Sequence, residues 1–189
     1  MKKNNITLIL LGIILIISII FVSIKILDQG KSIFPLSSDS SVKKFSLKAI
    51  DGTNFNLKTE KKKIMIEGME NKIVFLKVFG WDCQFCMKEV PELIALQDSL
   101  SDKFAVLAIE GQEHSRDTSL KKIKEYGINY PIILGQDQDK FYRYLQEQYG
   151  WSGIIPLTIV LSTKGDVLAF ELGKKSYSLS ELFKASLDK

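Results

Sequence analysis

Hydrophobic residues along this chain change their spacing from one segment to the next, and the changes predict its elements. Residues 6–24 read ITLILLGIILIISIIFVSI, apolar on every side and free of charge. A helix of that kind has no polar face to offer water. At 1.5 Å per residue it would be about 28 Å long, close to the hydrocarbon thickness of a bilayer. Further on the pattern alternates: Phe45, Leu47 and Ala49 precede Asp51-Gly52, and Phe55 and Leu57 follow it. A D-G pair between two alternating runs is a hairpin signal. Residues 73–79 are nearly all apolar, as expected of a strand covered on both faces, and 104–109 repeat the pattern. Residues 85–100 show helical spacing, with Val90, Leu93, Ile94 and Leu96 near one face. Helices are also predicted over 119–126, 140–148 and 179–187. Residues 157–161 and 167–172 flank Lys164-Gly165-Asp166 as a second hairpin. Strands alternating with helices imply an α/β domain with a central sheet.

The apolar stretch sets the organisation. Lys25-Ile26-Leu27-Asp28 follows it, without the small residues of a signal-peptidase site. Residues 6–26 are therefore expected to be an uncleaved transmembrane signal anchor in the lipid bilayer. Lys2 and Lys3 bias residues 1–5 toward the cytoplasm. Residues 27–41 carry Gly30, Pro35 and a serine-rich run, which is linker chemistry. Residues 42–189 form the folded domain. The expected location is the inner (cytoplasmic) membrane, single-pass, with the domain facing the periplasm or cell exterior.

Composition excludes several classes. Hydrophobic residues at 46% and charged residues at 25% fit a globular chain. A formal net charge of +4 makes no case for a nucleic-acid partner. Runs such as Lys61-Lys62-Lys63 read as solvated faces. The 2 cysteines lie in one short stretch, so they form no spread-out disulfide framework. His114 is the chain's 1 histidine.

The strand ending at Phe79 runs into Gly80-Trp81-Asp82-Cys83-Gln84-Phe85-Cys86, and a helix follows. At such a junction C-x-x-C lets two sulfurs close a ring within the first helical turn. The helix N-terminus offers unpaired N–H groups and a positive dipole end, which stabilise the attacking thiolate. The first cysteine of such a turn is typically the more exposed, so Cys83 is assigned as nucleophile and Cys86 as resolving thiol. A structural zinc site would want four ligands, and only His114 and carboxylates remain to complete one. Covalent haem attachment would need a histidine where Met87 stands. Pro156 opens the apolar run 157–161, where a residue that cannot donate to the ladder restricts its neighbour Ile155.

These motifs together resemble the TlpA/ResA-like (redoxin) branch of the thioredoxin superfamily, from about Phe45 to the C-terminus. Phe45-Ser46-Leu47-Lys48-Ala49-Ile50-Asp51-Gly52 looks like its N-terminal hairpin, and Cys83-Gln84-Phe85-Cys86 falls at its redox pair. Pro91 falls where members carry a proline in the active-site helix. Tyr126-Gly127-Ile128-Asn129-Tyr130-Pro131 looks like the approach to a strand, and residues 149–156 resemble the segment ending in a cis-proline. The resemblance implies a thioredoxin-like fold: a central mixed sheet flanked by helices, with an N-terminal β-hairpin. It implies a membrane-anchored thiol–disulfide oxidoreductase whose redox-active disulfide, Cys83–Cys86, needs no bound cofactor or metal. It also implies that Pro156 is cis and that Ile155 offers its backbone to substrate. Trp81, Phe85 and Ile155 would form an apolar docking rim.

Two residues depart from the usual pattern. Asp82 stands where thioredoxins place a tryptophan, and a carboxylate there opposes the Cys83 thiolate. Lys77 stands where typical thioredoxins bury an acid. Pointed at the sulfurs, its charge favours a thiolate; alternatively, it reaches past the sheet to solvent. The expected partners are protein thiols and disulfides, among them apocytochrome c, and a membrane-bound partner that regenerates the pair. A disulfide-introducing oxidase remains the nearest alternative. A tethered copper chaperone using Cys83, Cys86 and His114, or a redox-dead tether, are readings from other classes. Glu110, Glu113 and His114 follow a buried strand and are expected in a surface loop, the alternative being that they line the site.

Overall fold

The computed structural model describes residues 42–187. The predicted residues 1–5, the anchor 6–26 and the linker 27–41 lie outside them, and no helix within them is long and apolar enough to cross a membrane. Among them eight strands and four α-helices follow in the order β1 (Lys43–Lys48), β2 (Asn54–Glu60), β3 (Lys63–Ile66), β4 (Ile73–Phe79), α1 (Gln84–Leu100), β5 (Phe104–Glu110), α2 (Arg116–Tyr126), β6 (Ile132–Leu134), α3 (Asp139–Tyr149), β7 (Leu157–Leu161), β8 (Val167–Leu172) and α4 (Leu179–Leu187).

The main sheet has the order β6-β5-β4-β7-β8. Strands β4, β5 and β6 run parallel, while β7 is antiparallel to β4 and to β8, so the sheet is mixed as expected. All seven residues of β4 are buried, because the strand is central and covered on both faces. Val74, Leu76 and Val78 enter a core shared with β1–β3 and α3. Ile73, Phe75 and Phe79 enter the other, shared with α1 and α4. That alternation is the period-two pleat of a strand.

The N-terminal hairpin is wider than predicted. β1 pairs with β2 around Asp51-Gly52, but β2 also pairs with β3, giving a separate three-stranded sheet. The lysines before Ile64 and Ile66 conceal this strand, whose isoleucines are buried while Lys61 and Lys62 remain exposed. The small sheet is joined to β6 through Ile50 N–H to Ile132 O at 2.8 Å. It is joined to the β7–β8 turn through Ile64 N–H to Gly165 O at 2.8 Å. Gly165 sits at φ +79°, with Ile64 O only 2.8 Å from where a Cβ would lie, so a side chain does not fit. Helix α2 starts at Arg116, before the predicted 119, because Ser115 caps it by accepting from Thr118 N–H at 3.2 Å.

Candidate redox site

Helix α1 begins where β4 ends, and Cys83 is its N-cap. The Cys83 sulfur accepts from Cys86 N–H at 3.2 Å, using one of the N–H groups that a helix start leaves unpaired. Cys83 and Cys86 are joined as a disulfide with their Cα atoms 5.2 Å apart. Cys86 is only 2% exposed, whereas Cys83 is half-buried. The two sulfurs are therefore unequal: one is open to a partner, the other packed among Leu93, Phe79 and Trp81. Pro91 lies inside α1, which continues through it.

The Ile155–Pro156 bond is cis. Pro156 is buried and Ile155 half-buried, while Ile154 is 51% exposed. Gly173 N–H donates to Pro156 O at 2.8 Å, so the loop after β8 is held beside this turn. Phe85 is 42% exposed, with the Lys88 and Lys174 ammonium groups 5.7 and 5.9 Å from its ring centre. An exposed aromatic beside a half-exposed cysteine is suited to docking an extended partner.

Trp81 is not part of that rim. It is buried, donates from Nε1 to Ser119 Oγ at 3.0 Å, and packs edge-on against Phe79. Its indole N–H found a buried hydroxyl on α2, so the large ring adds to the core instead of the surface. Ile154, which the sequence did not single out, is the exposed apolar neighbour of Ile155.

Lys77 does not reach past the sheet to solvent. It shares strand parity with Phe75 and Phe79 and so faces α1, where it is 1% exposed. Its ammonium is ion-paired with Glu89 and donates to Thr158 Oγ1 at 2.6 Å. Lys175 Nζ reaches the other Glu89 oxygen at 2.8 Å. Burial lowers the Lys77 pKa to about 8, the Glu89 carboxylate opposing that shift and Lys175 adding to it. Sequence reasoning missed Glu89 and Lys175, although Glu89 lies one turn beyond Cys86 on α1.

Asp82 is exposed, and its carboxylate faces His114 Nε2 at 3.1 Å. Glu110, expected in a surface loop, is instead the last residue of β5 and fully buried, and it meets the other ring nitrogen at 3.2 Å. Among the described residues no group of three His, Cys, Asp or Glu side chains is arranged to hold a metal ion.

Compared with known proteins, the sequence matches the AhpC/TSA family over residues 34–170. It is 26% identical over 130 residues to the thiol-disulfide oxidoreductase ResA of Bacillus subtilis (strain 168), covering 68% of this chain and 69% of that one. The structure resembles the thioredoxin domain of a thiol-disulfide oxidoreductase from Bacteroides vulgatus, with a TM-score of 0.58 and 21% identity, covering 78% of this chain and 96% of that one. It also resembles StoA from Bacillus subtilis, with a TM-score of 0.54 and 18% identity, covering 77% and 97%. At such identities the two structures establish a thioredoxin-like fold.

Proposed function

This thioredoxin-like thiol–disulfide oxidoreductase belongs to the AhpC/TSA family, and from that premise we propose that it reduces protein disulfides outside the cytoplasm while tethered to the membrane by residues 6–26. The observation that carries the reading is the inequality of the two sulfurs: Cys83 half-exposed at the helix N-cap, Cys86 buried behind it. A dithiol works through one thiolate that meets the substrate and a second thiol that resolves the mixed disulfide.

In the reducing direction the Cys83 thiolate attacks one sulfur of a substrate disulfide. That S–S bond breaks, a Cys83–substrate disulfide forms, and the other substrate sulfur leaves as thiolate and takes a proton. Cys86 then loses its proton and attacks the Cys83 sulfur. The mixed disulfide breaks and the second substrate thiol departs. Two electrons have passed to the substrate, and Cys83–Cys86 is oxidised. A membrane-bound dithiol partner would return the pair to its reduced form. Phe85 and Ile154 would cover the substrate chain, and the Ile155 backbone beside cis-Pro156 would pair with it.

The resemblance to the TlpA/ResA-like branch supports the reducing direction and makes apocytochrome c the first substrate to test. The deciding measurement is the reduction potential of Cys83–Cys86 in the full-length chain, held in detergent and equilibrated against thiol buffers. A value near the thioredoxin end, about −270 mV, supports a reductant. A value near about −120 mV would instead mark an enzyme that introduces disulfides.

A further inference from the structure

The loop after β5 grips the turn that carries Cys83. Gly111 N–H donates to Phe79 O at 2.8 Å. Asp82 N–H donates to Gln112 Oε1 at 2.8 Å. Gly80 leaves room for that side chain, since a Cβ there would lie 2.1 Å from Gln112 Oε1. His114 completes the contact, with Nε2 3.1 Å from Asp82 Oδ2.

His114 is itself anchored. Glu110 is 0% exposed, and a buried carboxylate has to be partnered. Its Oε1 accepts from Gln112 N–H at 3.0 Å and faces His114 Nδ1 at 3.2 Å. Its Oε2 accepts from His114 N–H at 3.0 Å. Both ring nitrogens thus face carboxylate oxygens. An ionised carboxylate only accepts, and a neutral imidazole has a single N–H. Both contacts are hydrogen bonds together only when the ring carries two protons.

Asp82 directly precedes Cys83, and a carboxylate so placed opposes formation of the thiolate. An imidazolium held against it cancels that opposition. We propose that His114, braced on buried Glu110, is a positioning residue for exchange at Cys83, holding and neutralising the Asp82 carboxylate beside the nucleophile. This rests on the thiol–disulfide exchange reading above. Without the imidazole held against it, Asp82 is left uncompensated, and the Cys83 thiolate becomes harder to form.

The other groups around the ring leave this pairing intact. Glu113 is an exposed neighbour on the loop. The Arg116 guanidinium on α2 is turned to Ile50 O at 2.8 Å. On α3, the Tyr142 phenol stays protonated, its pKa raised by burial first and then by Glu110, Glu113 and Asp139.

The test follows iodoacetamide alkylation of Cys83 against pH, in the full-length protein carrying Cys86→Ser. His114→Gln is compared with its parent, with Asp82→Asn and with the double variant. The expected result is an upward shift of the Cys83 midpoint in His114→Gln by about half to one pH unit. That is roughly a three- to tenfold slower reaction below the midpoint. In the Asp82→Asn background the same His114→Gln change should have no effect, because no charge is left to compensate. An unshifted midpoint in His114→Gln overturns the proposal. So does an equal shift in both backgrounds, which would mark a merely structural loop. Insulin-disulfide reduction by the wild type separates the two levels. If it is absent, the exchange reading fails; if it is present with an unshifted His114→Gln profile, only the role of His114 fails.

Discussion

Lys77, in the middle of β4, is ion-paired with Glu89, which stands one helical turn beyond Cys86 on α1. The pair ties the central strand to the active-site helix, and Lys175 from the loop after β8 closes on the same carboxylate. Three charged side chains, exposed by 2%, 13% and 4%, therefore sit together inside the domain. Two cations share one carboxylate, so the cluster carries a net positive charge when both lysines are protonated. Residues three apart on a helix are neighbours, which places that charge one turn from the buried sulfur.

Replacing Lys77 by methionine should therefore disfavour thiolate. The expected result is an upward shift in the thiol titration of the reduced protein, followed by thiolate absorbance near 240 nm. Lys175 still partners Glu89 in that variant, so the carboxylate is not left unpaired. An unchanged thiol titration in a folded Lys77→Met protein would reduce Lys77 to a packing role.

The same lysine predicts a pH dependence of stability. Its pKa is about 8 in the folded domain against an ordinary 10.5, chiefly because burial penalises the charged form. Between those two values the unfolded chain holds the proton more tightly. The penalty is thus fully present below about pH 8 and is relieved as pH rises toward 10.5, so this group makes stability rise with pH there. Tyr130, Tyr142 and Tyr149 act oppositely: burial raises each above the ordinary 10.0, so the unfolded chain loses those protons first and stability falls at higher pH. Urea midpoints measured from pH 7 to 11 should rise and then fall. Lys77→Met should flatten the rising limb and keep the falling one.

What the sequence made legible follows from the strength of each local signal. The β4 run, the D-G hairpin and the cysteine pair at the start of α1 each combine a pattern with a position, and the structure matches them. Strand β3 was hidden because Lys61-Lys62-Lys63 outweighed two isoleucines, and four residues carry little periodicity. Trp81 was misplaced because nothing near it in sequence announces Ser119, its buried partner on α2. The parity of Lys77 with Phe75 and Phe79 was readable and does point it toward α1. Its partners, Glu89 and Lys175, come from separate elements, so only the assembled fold shows why a buried lysine is tolerated. His114 likewise looked like a loop residue until folding brought it to Asp82.

The unequal burial of the two sulfurs makes the last prediction. A cysteine that is 2% exposed cannot meet a protein disulfide without opening the helix start, whereas half-exposed Cys83 can. Cys86→Ser should keep the attacking thiol but lack the group that resolves the mixed disulfide. It should therefore accumulate covalent complexes with a disulfide-bearing protein, and dithiothreitol should release them. Cys83→Ser leaves only the packed thiol and should trap on the order of tenfold less, since exchange rates depend on access as well as thiolate fraction. Non-reducing gels of the two variants incubated with an oxidised protein substrate make the comparison. Equal trapping by both would mean that Cys86 reaches substrate too, and the assignment of attacking and resolving thiols would have to be abandoned.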